Sequence, residues 1–153
     1  MTFDFDATVV GAGAVGLACG RALSKRGLTV LVLEKEDFIG QGVSSRNSEV
    51  IHAGLYYPTG SLKAQVCVEG RRLLYDFLES HKVDYWKCGK LVVATDEAEI
   101  PRIEAILEQG RINDVEGLEL ISGSEAMKLE PQLNVAAAIK SPESGVFDSH
   151  GYM

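Results

Sequence analysis

Residues 11–16 read Gly11-Ala12-Gly13-Ala14-Val15-Gly16, a G-x-G-x-x-G run set between a β-branched stretch, Asp6-Ala7-Thr8-Val9-Val10, and a helix-patterned one from Ala14 to Arg26. A second β-rich run, Leu28-Thr29-Val30-Leu31-Val32-Leu33, follows and ends at Glu34. Strand, glycine turn, helix, strand and acid in that order predict a parallel β-α-β unit of the dinucleotide-binding kind. The first glycine permits the tight turn, the second lets backbone approach a pyrophosphate, and the third lets the helix pack closely on the strand. The helix N-terminus attracts the phosphate charge. Glu34, eighteen residues after Gly16, stands where a carboxylate accepts hydrogen bonds from a ribose diol. Both strands are expected to be buried, with Val15, Ala18, Ala22 and Leu23 as the inward face of the helix and Gly27 as its C-cap. FAD and NAD share these adenosine and pyrophosphate contacts, so the unit alone leaves both open.

Periodicity dissolves between Phe38 and Tyr57 into a polar loop of glycine, serine, Arg46 and Asn47, the kind of segment that carries ligand contacts. Beyond it, Ser61 to Ser80 predicts an amphipathic helix with Leu62, Val66, Leu73, Leu74, Phe77 and Leu78 inward and Arg71 and Arg72 solvated. Tyr85 to Thr95 reads as a strand broken at Gly89, and Asp96 to Gln109 as a helix with Pro101 in its first turn. Asp96, Glu97 and Glu99 read as a solvated face. Leu118 to Ile121 and Val135 to Lys140 predict strands on either side of a short helix, Ser124 to Leu129. The fold class is therefore α/β at the start, with an α+β second half.

Composition narrows the function. The 153 residues, 46% hydrophobic and 24% charged, have the proportions of an ordinary globular domain. A net charge of −7 argues against a nucleic-acid or anionic-membrane binder. Cys19, Cys67 and Cys88 are widely spaced and lack the neighbours of a zinc site, so no metal is expected and reduced thiols in a reducing compartment are. Asp4 and Asp6 stand where a signal peptide needs positive charge, and no stretch reaches the eighteen apolar residues of a membrane span. The expected location is cytoplasmic.

Val-Gly-Ala-Gly-Ala-Val-Gly-Leu-Ala at 10–18, Leu-Glu-Lys-Glu at 33–36 and above all Ser-Ser-Arg-Asn-Ser-Glu-Val-Ile-His-Ala-Gly-Leu-Tyr-Tyr at 44–57 resemble the FAD-dependent L-2-hydroxyglutarate dehydrogenase/oxidase family. That family lies within the D-amino-acid oxidase and glycerol-3-phosphate dehydrogenase superfamily. The resemblance continues through Cys88-Gly89-Lys90-Leu91-Val92-Val93-Ala94 and Gly145-Val146-Phe147-Asp148-Ser149-His150. It implies a Rossmann-like FAD-binding β-α-β unit followed by the start of an α+β substrate domain. The implied boundaries are 1–83 for the FAD-binding part, 84–147 for a partial substrate domain and 148–153 for the return to the FAD domain. It further implies that the chain is the N-terminal part of a longer enzyme.

FAD is the implied cofactor. Gly11, Gly13, Ala14, Val15 and Gly16 would hold its pyrophosphate and Glu34 its ribose, with Lys35 nearby. Ser44, Ser45, Arg46, Asn47 and Ser48 would line the flavin, and His52, Ala53 and Gly54 would approach its ring. The implied reaction is oxidation of a small 2-hydroxy acid, L-2-hydroxyglutarate to 2-oxoglutarate, by hydride transfer to flavin N5. His52 is the candidate base for the hydroxyl proton because imidazole titrates near working pH. Tethering the flavin or locally positioning the loop are its other readings. Tyr56 and Tyr57 read as packing before substrate contacts. Asp148-Ser149-His150 has the residue types of a hydrolase triad, but adjacent side chains point apart, so it reads as a chain junction. The competing readings are a non-catalytic nucleotide-binding fragment and an amino-acid or glycerol-3-phosphate oxidoreductase. The residues leave the electron acceptor unspecified.

Overall fold

A computed structural model describes residues 3–153, which divide into two compact units, Met1–Glu49 with Asp148–Met153 and Val50–Phe147. In the first, β1 (Ala7–Val10) and β2 (Val30–Leu33) pair in parallel, from Ala7 opposite Val30 to Val10 opposite Leu33. Helix α1 (Ala14–Ser24) crosses between them. Gly11 ends β1 at φ +100° and donates its N–H to the Leu33 carbonyl at 2.7 Å. Beyond α1, Gly27 sits at φ +86° with its N–H on the Ser24 carbonyl, the left-handed stop expected of a glycine there.

The strands and their direction match the sequence reading; their burial does not. Val10 is 85% exposed and Val15 78%, and Leu33, Phe38 and Val43 are exposed too. Val15, Ala18 and Ala22 all face outward, and α1 lies on the sheet through Gly16 and Gly20. A Cβ at Gly20 would stand 3.2 Å from Val32 Cγ2. Two strands and one helix cover only one face of such a unit, and within these residues nothing covers the other apolar side chains.

The second unit begins with β3 (Val50–Ile51) and the long helix α2 (Leu62–His81). It continues through β4 (Tyr85–Trp86), β5 (Lys90–Ala94), α3 (Ile100–Ile112), β6 (Glu119–Ser122), α4 (Gly123–Leu129), β7 (Ala137–Ser141) and β8 (Gly145–Phe147). Two antiparallel sheets result, β3-β8-β4 and β5-β7-β6. The strand reading broken at Gly89 is two strands in different sheets, and Gly89, at φ +74°, makes the change of sheet while donating to the Ser144 carbonyl. Ala94, Ala137 and Ile139 on one sheet face pack with Ile103 and Leu107 of α3, Val68 of α2, and Ala53 and Leu55. Ala138, on the opposite face, packs with Ala126 and Val135, as the two-residue period of a strand requires.

Helix α2 corrects the sequence reading. Ser61 caps it, accepting from the Ala64 N–H at 3.2 Å. Its buried stripe is Ala64, Val68, Arg71 and Leu78, whereas Leu62, Val66 and Leu73 are more than half exposed. Arg71, read as solvated, is 3% exposed, and its guanidinium is paired with Glu116 and Glu143. Charge complementarity with two carboxylates supplied from distant loops makes an arginine tolerable where apolar spacing pointed elsewhere. Arg72 does lie at the surface, paired with Asp114 and Glu116. The acidic run is likewise more than a solvated face. Asp96 accepts from the Glu99 N–H, and Glu99 accepts from the N–H and hydroxyl of Thr95 at 2.8 Å each, closing the turn that starts α3.

Removing the Arg71 guanidinium leaves Glu143, only one-fifth exposed, without it. Arg71→Ala is expected to lower unfolding free energy by about 3 kcal/mol, the lower end for breaking a buried ion pair because both partners keep some solvent. Arg72→Ala should leave the urea midpoint almost unchanged. Equal effects for the two arginines in chemical denaturation would contradict this account.

Candidate functional site

The turn from β1 into α1 is built by close approach. A Cβ at Gly16 would fall 1.9 Å from the Gly11 carbonyl oxygen, so no side chain fits there without moving the helix. A Cβ at Gly13 would meet Ser44 Oγ at 2.9 Å. That hydroxyl accepts from the Ala14 N–H at 3.0 Å, capping α1 from a loop thirty residues away. Having accepted one bond, the Ser44 O–H still has a proton to donate.

Glu34, at the end of β2, folds back onto the turn. Its Oε2 accepts from the Ala12 N–H at 2.7 Å, and its Oε1 from the N–H groups of Lys35 and Glu36 at 2.8 and 3.1 Å. These amides, Ala12 first, hold its carboxyl below the usual carboxylate range. A carboxylate offers about four lone-pair sites, so three amides leave one for a hydroxyl. The sequence reading assigned Glu34 to a ribose; its bonding to Ala12 adds a role in shaping the glycine turn.

Gly11, Gly13, Glu34, Lys35 and Ser44 line one cleft of about 550 Å³, with Val10, Leu33 and Val43 as its apolar wall. Its volume lies in the range of ligand pockets. Bare glycine backbone, a spare hydroxyl proton and an ionised acid suit the adenosine diphosphate portion of FAD. Ala14, Val15 and Gly16 form the first turn of α1 behind it, and Ser45, Arg46, Asn47 and Ser48 continue the loop past its walls. Asn47 orders that loop, donating to the Ser44 carbonyl at 2.8 Å and accepting from the Glu49 N–H at 2.7 Å. Arg46 points to solvent, as does the Lys35 ammonium, which pairs with Glu36. Asp148 Oδ1 accepts from the backbone N–H of His150 and Gly151, so Asp148-Ser149-His150 is a helix cap and no proton relay.

In the second unit, β3 runs into the segment 52–57. Ile51, Ala53 and Leu55 are at most 3% exposed, whereas His52 and Tyr56 are exposed. Gly54, at φ +110°, is buried where a Cβ would stand 2.9 Å from Val68 Cγ2. The segment is pinned by three side chains, Cys67, read from sequence as a reduced thiol, and Gln109 and Asn113, which the sequence reading passed over. Cys67 donates its thiol proton to the His52 carbonyl at 3.4 Å, and Asn113 donates to the carbonyls of Gly54 and Tyr57 at 3.3 and 2.8 Å. Gln109 also donates to the Tyr57 carbonyl. Burial pushes the Cys67 thiol up, keeping the proton it donates. Gln109 of α3 and Asn113, which caps its C-terminus, are four apart, a spacing visible in sequence and silent about its target.

Two lysines flank this segment. Lys90 Nζ lies 4.7 Å from the Tyr56 ring centroid and Lys63 Nζ 4.5 Å from that of Tyr57, both cation–π distances. The tyrosines, read as packing, thus offer ring faces to cations. Partial burial, then Lys90 and Lys63, hold the His52 imidazolium below its usual range, so at neutral pH the ring is uncharged and able to accept a proton. His81 is elsewhere, its ring stacked on Phe77 at 3.9 Å.

Gly16→Ala is expected to weaken FAD retention at least about tenfold by equilibrium dialysis, while the second unit keeps its far-ultraviolet signature. Glu34 makes a separate test. Its folded carboxyl sits below the ordinary value, so its contribution is complete above that value, 4.5, and is lost as pH falls through the folded one. The Ala12 amide resonance should move with that titration, and Glu34→Gln should abolish the movement.

L-2-hydroxyglutarate dehydrogenase, mitochondrial, of Arabidopsis thaliana is 50% identical over 148 residues, 97% of this chain and 31% of that protein. The Homo sapiens protein of the same name is 44% identical over 149 residues, 96% of this chain and 32% of its own. The chain thus spans about a third of the length of these relatives. Among solved structures, FAD-bound L-α-glycerophosphate oxidase from Mycoplasma pneumoniae superimposes with a TM-score of 0.88 at 30% identity, over 97% of this chain and 40% of that one. The family model described as DAO, FAD dependent oxidoreductase, matches residues 6–153, and the chain belongs to that family.

Proposed function

We propose that the protein oxidises a small 2-hydroxy acid with FAD, the substrate being L-2-hydroxyglutarate and the product 2-oxoglutarate. The observation that carries this reading is His52, an exposed imidazole on a segment whose carbonyls Cys67, Gln109 and Asn113 hold. The 44–50% identity to proteins named for that substrate supports it. Gly11, Gly13 and Gly16 let the backbone reach the pyrophosphate, to which Ser44 donates, and Glu34 offers its remaining acceptor site to the ribose. Ser45, Arg46, Asn47 and Ser48 are assigned along the flavin, with His52, Ala53 and Gly54 toward its ring. When bound, FAD supplies an acceptor for the hydride that leaves the carbinol carbon. His52 takes the hydroxyl proton at its ring nitrogen, and the pinned backbone keeps that nitrogen in place.

Functionally we assign 1–83 and 148–153 to FAD binding and 84–147 to the substrate portion. The division by compactness falls earlier, at Glu49. Among the described residues no helix is long and apolar enough to cross a membrane. Cys19, Cys67 and Cys88 are free, which suits a reducing compartment. That compartment is cytoplasmic in the sequence reading, whereas the relatives above are named mitochondrial.

A second reading, a nucleotide-binding piece without turnover of its own, draws on the exposed Val10, Val15, Phe38 and Val43 of the first unit. Visible absorption separates the two. Flavin bands that bleach on anaerobic addition of L-2-hydroxyglutarate support the oxidoreductase; bound flavin that ignores the acid contradicts it. His52→Asn should retain FAD and lower kcat by about 10²–10⁴-fold, the range of a lost general base. The 153-residue chain alone is expected to lose flavin on dialysis, and a stoichiometric flavin complex surviving that step would refute this expectation.

A further inference from the structure

The proposed reaction uses His52 and leaves Lys63 and Lys90 without a task. Several other cations of the second unit meet carboxylates, among them Arg71 and Lys87 on Glu143 and Lys140 on Glu119. Among the described residues neither Lys63 nor Lys90 has a carboxylate at ion-pair distance. They come from different elements, Lys63 from the first turn of α2 and Lys90 from the first position of β5. They meet consecutive residues, Tyr57 and Tyr56, of one fixed segment.

We propose that Lys63 and Lys90 form a two-cation receptor beside His52 that takes the two carboxylates of a dicarboxylate substrate. This inference rests on the oxidoreductase reading and names its specificity element. A ring face is a weak partner for an ammonium, and a carboxylate is a strong one. Each lysine is held near the segment in the empty state and can swing on its four-carbon stem when an anion arrives. A monocarboxylate satisfies one cation and leaves the other unmatched, so a pair of lysines discriminates by charge count. Both lysines also bear on His52, whose imidazolium they disfavour. A bound dianion cancels that influence, which strengthens His52 as a base when substrate is present.

Glutarate, a dicarboxylate that lacks the oxidisable hydroxyl, tests the receptor without flavin or turnover. Titrated into the 153-residue chain, it should shift the ring resonances of His52, Tyr56 and Tyr57, with pentanoate binding at least about tenfold more weakly. Lys63→Gln and Lys90→Gln, both changes at solvent-accessible side chains, should each erase that preference. Absence of glutarate shifts, equal binding of pentanoate, or unchanged preference in both variants would overturn the proposal. Tighter binding of glycerol 3-phosphate than of glutarate would also overturn it, because a single dianionic group would then be the better match. Glutarate binding together with flavin that L-2-hydroxyglutarate fails to bleach would sink the proposed reaction and leave the receptor standing. Bleaching by L-2-hydroxyglutarate without glutarate preference would do the reverse.

Discussion

Everything in the first unit follows from how closely α1 approaches the end of β1. The position a Cβ would take at Gly16 is 1.9 Å from the Gly11 carbonyl oxygen, well inside any contact distance. Because that atom is absent, the helix starts close against the strand end, and the Gly11 and Gly13 backbone lines the cleft. Ser44 and Glu34 then bind to what the approach leaves exposed, the amides of Ala14 and Ala12. The cleft is thus a backbone surface first, and its two polar side chains are held by the backbone they serve.

The second unit solves a different problem, that of holding a short segment that bends at Gly54 still at a protein surface. Backbone in such a segment needs hydrogen-bond partners, and β3 ends at Ile51, so the ladder cannot supply them beyond that point. Alternating burial of Ile51, Ala53 and Leu55 fixes one side. Side chains of α2 and α3 take over the carbonyls of His52, Gly54 and Tyr57. Helix α2 itself is tied to the loops at Glu116 and Glu143 through Arg71. A charged residue in the core and an uncharged imidazole at the surface therefore belong to one piece of engineering, in which electrostatic partners replace apolar contact.

The sequence carried the elements well where local chemistry dictates them. Gly11 and Gly27 mark turns that their positive φ values confirm, Ser61 and Pro101 mark helix starts, and parallel pairing of β1 with β2 follows from a helical crossover. What it could not carry was partnership over long range. Arg71 looks like a surface residue until Glu116 and Glu143 are brought to it from 45 and 72 positions away. Leu62 and Leu73 fit a helical stripe as well as Val68 does, and only the location of α3 and the sheet decides which is buried. In the site, Gly11, Gly13, Glu34 and Ser44 were legible through a motif and a resemblance, whereas Gln109 and Asn113 were not, because an amide side chain on a helix says nothing of the carbonyl it will meet.

The two units differ in how far their own residues satisfy them. The second unit has a continuous apolar core from Ala53 to Ile139, so the segment bearing His52 is positioned by contacts the unit makes within itself. The first unit has few such contacts: Val10, Leu33 and Val43 are exposed, and all three line the cleft. An apolar wall left in water gains stability from whatever covers it. An adenosine group lying against Val10 and Leu33 would therefore contribute to folding as well as be held by the fold, coupling cofactor affinity to the stability of the glycine turn. The rings that Lys63 and Lys90 face, by contrast, lie wholly within the second unit.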